Sequence, residues 1–119
     1  MHERSLVKAL IEQVCEESRN RTLGRIHEIQ LQIGEFSGVE PRLVESAFEE
    51  MSSGYWDSEV RLHVEVVPLT AKCRACDETF FVQSFCFICP KCESVHVNVI
   101  AGEEMRLVSV SAERRELIR

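Results

Sequence analysis

Apolar positions recur at helical spacing twice along the chain and at alternating spacing three times. Leu6, Val7, Leu10, Ile11, Val14 and Cys15 fall on one stripe, with Glu12, Gln13, Glu16 and Glu17 between them. That pattern predicts an amphipathic helix over residues 4–20, with Asn20 and Gly24 marking its exit. Residues 25–33 then alternate. Ile29, Leu31 and Ile33 face one way and Glu28, Gln30 and Gln32 the other, as in a half-buried strand. Gly34 to Gly38 reads as a loop. Pro41 suits the first turn of a second helix, where its missing N–H leaves no bond unmade. Leu43, Val44, Ala47, Phe48 and Met51 continue that helix, and Ser52-Ser53-Gly54 stops it. Residues 59–67 alternate again, with Val60, Leu62, Val64 and Val66 against Arg61, His63 and Glu65, and Pro68 ends the strand. Further on Val95, Val97 and Val99 alternate, Gly102 turns the chain, and Met105, Leu107 and Ser109 predict a final strand.

The order helix, strand, helix, strand, cysteine-rich stretch, strand predicts an α+β fold. Two helices pack on a small sheet of about three strands. The character of the sequence changes at Ala71, which predicts a zinc-ribbon or rubredoxin-knuckle module inserted before the last strand. The module is too short to hold a core of its own, a role that a metal would fill. There is no longer internal repeat and no low-complexity segment.

Composition narrows the function. At 119 residues the chain suits one domain carrying a mini-module. A net charge of −6 argues against a nucleic-acid surface, and Arg114 with Arg115 is too small a basic patch to make one. No apolar run approaches the roughly 18 residues of a membrane span. Met1-His2-Glu3-Arg4 leads into an amphipathic stretch rather than a secretory signal, so a cytoplasmic location is expected.

Six cysteines change the picture, because disulfides rarely persist in the cytosol and clustered thiols there hold metal or do redox work. The pattern is Cys73-x-x-Cys76, twelve residues, then Cys89-Pro90-Lys91-Cys92. Each tight turn aims two sulfurs at one ion, and two turns complete a tetrahedral four-thiolate shell suited to Zn(2+). A closed shell has no open position, so the ion is structural. Cys86-Phe87-Ile88-Cys89 has the same spacing and competes for the second pair. Pro90 favours Cys89 with Cys92, since it presets the turn, which leaves Cys86 a spare thiol. Cys15 reads as a small core residue.

The N-terminus offers a second metal site. The α-amine of Met1, the backbone nitrogen of His2 and the His2 imidazole can close two chelate rings in one plane, a geometry that Ni(2+) and Cu(2+) favour. A histidine at position 2 is also compatible with a plain flexible terminus. Met1-His2-Glu3, the segment Ile33-Gly34-Glu35-Phe36-Ser37-Gly38-Val39-Glu40-Pro41 and the four cysteines occur here together and in order. In this the chain resembles the HypA/HybF family, the nickel metallochaperones of nickel–iron hydrogenase maturation. The resemblance spans nearly the whole chain. It implies a nickel-binding α/β unit, residues 1–68 plus 103–119, and a separate zinc-binding unit, 69–102. It implies His2 as principal nickel ligand, helped by the Met1 amine, with Glu3 in the same nickel-site motif and affecting nickel binding or target choice. It also implies two partners, a HypB-type GTPase and the hydrogenase large subunit, with the loop Gly34–Glu40 and the first helix as candidate GTPase contacts. Some members draw a further nickel-ligating histidine from just after the last zinc cysteine. The nearest here, His96, reads as an exposed strand residue. His27 and His63 receive no role, and Cys86 is extra to the family's pattern.

No phosphate-binding Gly-x-x-x-x-Gly-Lys-Ser/Thr, His-Glu-x-x-His or Gly-x-Ser-x-Gly occurs, and Glu16-Glu17 and Glu49-Glu50 read as solvated helix faces. The expectation is a carrier rather than an enzyme. A zinc-ribbon protein-interaction module without nickel transfer is the alternative, and a thiol oxidoreductase using Cys73/Cys76 or Cys86/Cys89 is the third reading.

Overall fold

The structure, a computed structural model, describes residues 2–113. The helices and strands in chain order are α1 (His2–Arg21), β1 (Ile26–Gly34), α2 (Pro41–Ser52), β2 (Arg61–Val67), β3 (Thr70–Cys73), β4 (Thr79–Phe81), β5 (Val97–Ala101) and β6 (Met105–Ala112). They form two three-stranded sheets, ordered β2-β1-β6 and β4-β3-β5. The first is the sheet the alternating pattern predicts, with the earliest long strand at its centre. The second was not expected. Its β3 and β4 have four and three residues, too few for an alternating pattern to register.

The described residues divide into two compact units. The first comprises 2–31, 40–65 and 106–113. Its core is the apolar stripe of α1 (Val7, Leu10, Ile11, Val14) with Ile26, Ile29 and Leu31 of β1, Val44, Ala47 and Phe48 of α2, and Val60. The helices form because those positions recur every three or four residues and α1 and α2 pack on each other. α1 ends in a Schellman-type turn. The Leu23 amide donates to the Ser18 carbonyl at 3.0 Å, and Thr22 takes the left-handed conformation, φ 53. Gly24 therefore does not cap the helix. It lets the backbone pass close to Glu113, whose carbonyl accepts from the Gly24 amide at 3.1 Å. A Cβ at Gly24 would collide with that carbonyl. Cys15 is half-buried on α1.

The second unit comprises 32–39 and 66–105. Its sheet rests on two antiparallel registers, Thr70↔Phe81 to Lys72↔Thr79 and Ala71↔Val99 to Cys73↔Val97. The expectation that this module lacks an apolar core is corrected. Leu69, Ala71 and Val82 are buried together, with Phe80, Phe87, Val97 and Val99 packed around them. The loop 34–38 belongs to this unit. The amides of Gly34, Glu35 and Phe36 donate to the carbonyls of Glu104, Val67 and Gly102, each at 2.8 Å. The Glu35 carboxylate accepts from the Leu69 amide at 3.3 Å. Gly102, φ 99, packs against the Leu69 backbone with no room for a Cβ. β2 departs from its expected alternation at its end. Leu62 and Val64 are half-buried, but Val66 is 51% exposed on this edge strand.

Candidate metal centres

The cysteine cluster lies in the second unit. Two turns of matching geometry build it. In the first, the Asp77 amide donates to the Cys73 carbonyl at 3.0 Å and the Cys73 amide to the Glu78 carbonyl at 2.8 Å. In the second, the Glu93 amide donates to the Cys89 carbonyl and the Cys89 amide to the Ser94 carbonyl, both at 2.9 Å. The residue after each second cysteine, Asp77 or Glu93, is left-handed, with φ 65 and 62. This reverses the chain after the two sulfurs have been aimed. Non-glycine residues pay a steric cost in that conformation, and neither position announces it in the sequence. Backbone amides also reach the sulfurs: Ala75 to Cys73 at 3.3 Å and Lys91 to Cys89 at 3.4 Å. Such donors favour the thiolate.

The sulfurs of Cys73, Cys76, Cys89 and Cys92 all lie within 4.8 Å of one another. Cys73 to Cys92 measures 3.5 Å and Cys76 to Cys89 3.6 Å. A regular tetrahedron of zinc–sulfur bonds of about 2.3 Å sets its sulfurs about 3.8 Å apart, so the donor set fits zinc in number, chemistry and spacing. Electrostatics point the same way. The Cys73 thiol is brought down to about 7 by the Cys76 amide first, then by the Ala75 amide and the Cys92 and Cys76 thiols, against burial. Cys76 goes the other way, to about 12. The Glu78 amide lowers it, but burial and the thiols of Cys89, Cys92 and Cys73 raise it more. One anion among crowded sulfurs suppresses the next, and a divalent cation removes that conflict. Cys86 is exposed and outside the cluster. Its amide donates to the Gln83 carbonyl at 2.9 Å, in a separate turn where Ser84 and Phe85 are both left-handed. His96 is exposed just before β5; its carbonyl accepts from the Arg74 amide at 2.8 Å and its own amide donates to Ser94 Oγ at 3.1 Å.

The N-terminal residues lie in the first unit, and Met1 is outside the described residues. α1 begins at His2. His2 is exposed, and its Nδ1 lies 3.7 Å from Glu3 Oε2. Glu3 is 8% exposed, unusual for a carboxylate, and accepts the Glu40 amide at 3.3 Å. Glu40 is the N-cap of α2, and its own carboxylate accepts the Arg42 amide at 3.2 Å. Glu3 thus joins the first turns of both helices. The Glu40 amide, then its own amide, hold its carboxyl below the ordinary 4.5 against burial, with His2 adding to the effect. Periodicity gives no sign of this bridge. A charge among the first residues of an apolar stripe is its only trace. His63 is bound to Glu28 at 2.8 Å, and His27 is exposed on β1.

Comparison with known proteins agrees with this layout. The family model for hydrogenase/urease nickel incorporation, metallochaperone, hypA matches residues 1–112. The hydrogenase maturation factor HypA of Shewanella oneidensis is 34% identical over 116 residues, covering 98% of each chain. That of Campylobacter jejuni is 36% identical over 110 residues, covering 91% of this chain and 96% of its own. The solution structure of the Ni metallochaperone HypA from Helicobacter pylori superposes with a TM-score of 0.66 at 27% identity, covering 95% of this chain and 98% of that one. A second HypA solution structure gives 0.71 at 28% identity, covering 97% and 98%. The chain belongs to the HypA family of hydrogenase/urease nickel-incorporation metallochaperones.

Proposed function

We propose that the protein carries Ni(2+) as cargo at its N-terminus and delivers it, in the cytoplasm, to the large subunit of nickel–iron hydrogenase with a HypB-type GTPase. The Met1 amine, the His2 backbone nitrogen and His2 Nδ1 bind the ion, and Glu3 steadies the first turn beneath them. One observation carries the reading: α1 begins at His2. The first four amides of a helix have no partner within it. The His2 nitrogen can therefore give up its proton to a metal without breaking a helical bond. The positive end of a helix opposes a cation, and the Glu3 carboxylate at that end offsets part of this.

Zn(2+) is the resident ion, held by Cys73, Cys76, Cys89 and Cys92. When bound it supplies a cross-link and no chemistry. The division of labour is a nickel-binding α/β part and a zinc-binding part. The loop 34–40 and α1 are the surfaces offered to the GTPase.

The test is a Ni(2+) titration, followed by its absorption bands, of protein with a native N-terminus, protein with a long uncleaved N-terminal tag, and His2→Ala. Only the first should bind one nickel tightly, because the tag carries the amine far from the His2 imidazole. Zinc content should be equal in all three. Equal nickel affinity across the set would refute the N-terminal site.

A further inference from the structure

A groove beside the C-terminal end of α2 belongs to neither metal site. It is open, about 560 Å³ in volume, and lined by α2, the turn after it and β2. Its floor is apolar: Phe48, Trp56, Val60 and Leu62, with the Phe48 and Trp56 rings 6.2 Å apart. Trp56 and Leu62 remain half-exposed. Its rim is acidic: Glu45, Glu49, Asp57 and Glu59, all exposed. Arg61 and His63 are the basic residues on it, and Glu28 already holds the His63 ring at 2.8 Å.

The rim charges work against the helix that carries them. The C-terminal end of a helix is its negative end and favours lysine or arginine. α2 has no basic residue in its last turn, and Glu49 sits there instead. Glu45 and Glu49 are also four residues apart on one face, a repulsive pair. Arg4 offsets Glu50 at 2.9 Å, but among the described residues no ion pair offsets Glu45, Glu49, Asp57 or Glu59. The free protein gains nothing from this arrangement, whereas a cationic ligand gains from all of it.

We propose that this groove docks a segment of a partner protein that carries arginine or lysine beside a bulky aliphatic side chain. The cations face the four rim carboxylates and the aliphatic group covers Trp56. Phosphate backbones and anionic lipid surfaces are repelled by the same rim. The proposal stands independently of where nickel binds.

Trp56 is the sole tryptophan, so its emission reports the groove directly in the full-length, zinc-loaded protein. The probe is an acetylated, amidated Arg-Leu-Arg-Leu-Arg peptide, compared with Glu-Leu-Glu-Leu-Glu and with spermine, which has charge but no aliphatic branch. The basic peptide should give a saturable shift that weakens as salt rises. Glu45→Gln/Glu49→Gln should weaken it about fivefold. Glu103→Gln/Glu104→Gln, exposed before β6, makes the same change in net charge outside the groove and should leave it within about twofold. The groove variant should also melt higher than the parent, since it relieves α2. No saturable shift, equal binding of spermine or of the acidic peptide, equal weakening in both double variants, or a lower melting point in the groove variant would each overturn the proposal.

Discussion

Cys73→Ser removes one corner of the cysteine cluster, and the structure sets the size of the consequence. Cys73 and Cys89 are fully buried. The apolar cluster beside them has Leu69, Ala71 and Val82 as its buried members. Fully burying a leucine or a valine is worth about 1.5–3 kcal/mol each, and alanine adds less. A structural zinc site contributes about 10–16 kcal/mol, which exceeds that cluster and matches the whole stability of a small domain. Without zinc the module cannot hold its sheet, so its opening free energy should fall close to zero. The assay is amide hydrogen exchange read by mass spectrometry, with metal content measured on the same samples. The parent and Cys86→Ser should each hold about one zinc per chain, and Cys73→Ser should hold none. Peptides covering 70–101 should exchange at least about a thousandfold faster in Cys73→Ser, a loss of roughly 4 kcal/mol. Peptides covering Val7–Val14, buried on the helix that packs on α2, should keep their protection. If 70–101 stays protected in the zinc-free variant, the metal is not what holds the module. If Cys86→Ser loses zinc while Cys89→Ser keeps it, the ligand set is wrong.

Three further outcomes are expected. Ile11→Ala empties a fully buried site on α1 and should cost about 2–5 kcal/mol, seen as a lower urea midpoint with an unchanged slope. A loss below 1 kcal/mol on that same scale would show that the helices do not close over it. Gly102→Ala places a Cβ against the Leu69 backbone at φ 99 and should cost about 2 kcal/mol or more, whereas equal stability would remove the close approach. Glu28 is held below its ordinary 4.5 by the Gln30 side chain and then by His63, against slight burial. A depressed carboxyl stabilises fully above its unfolded value and loses that contribution as pH falls through the folded value. Its titration by NMR should therefore show a midpoint below 4.5 that returns toward 4.5 in Gln30→Ala/His63→Ala, and a parent midpoint at or above 4.5 would sink the assignment.

Long-period features were legible in the chain, and short-range backbone devices were not. The stripe Val7-Leu10-Ile11-Val14 and the alternation Ile29-Leu31-Ile33 are buried as their spacing implies, because burial of one face is what selects such patterns. The paired turns at Cys73–Cys76 and Cys89–Cys92 were legible because thiolate geometry tolerates few spacings. In the sheet β4-β3-β5 only β5 showed itself, through Val97 and Val99; β3 and β4 were hidden, since three or four residues cannot display a period. Asp77 and Glu93 were hidden for another reason: glycine would have signalled a left-handed residue, while these side chains adopt it under the constraint of the surrounding bonds. Glu3 shows a third limit. Its partner, the Glu40 amide, is 37 positions away, and no local pattern couples the two. Val66 shows where alternation misleads, because an edge strand is covered on one side only.

The order β2-β1-β6 also bears on how the chain is assembled. β1 needs a strand that is made last, and roughly 37 residues intervene between Val67 and Met105. The register of β3 with β5 ties Thr70 to Ala101. Once that pair forms, only about five residues remain free to span the gap, which lowers the closure cost by about 2 kcal/mol. The excursion is complete before β6 has been synthesised, so the metal-bound knuckles can shorten the path in advance. Amide protection in β3 and β5 should accordingly precede protection in β6 during refolding. Zinc supply then acts as a timer on assembly: while it is withheld β6 pairs later, and for longer one edge of β1 lies open to the strand of another molecule.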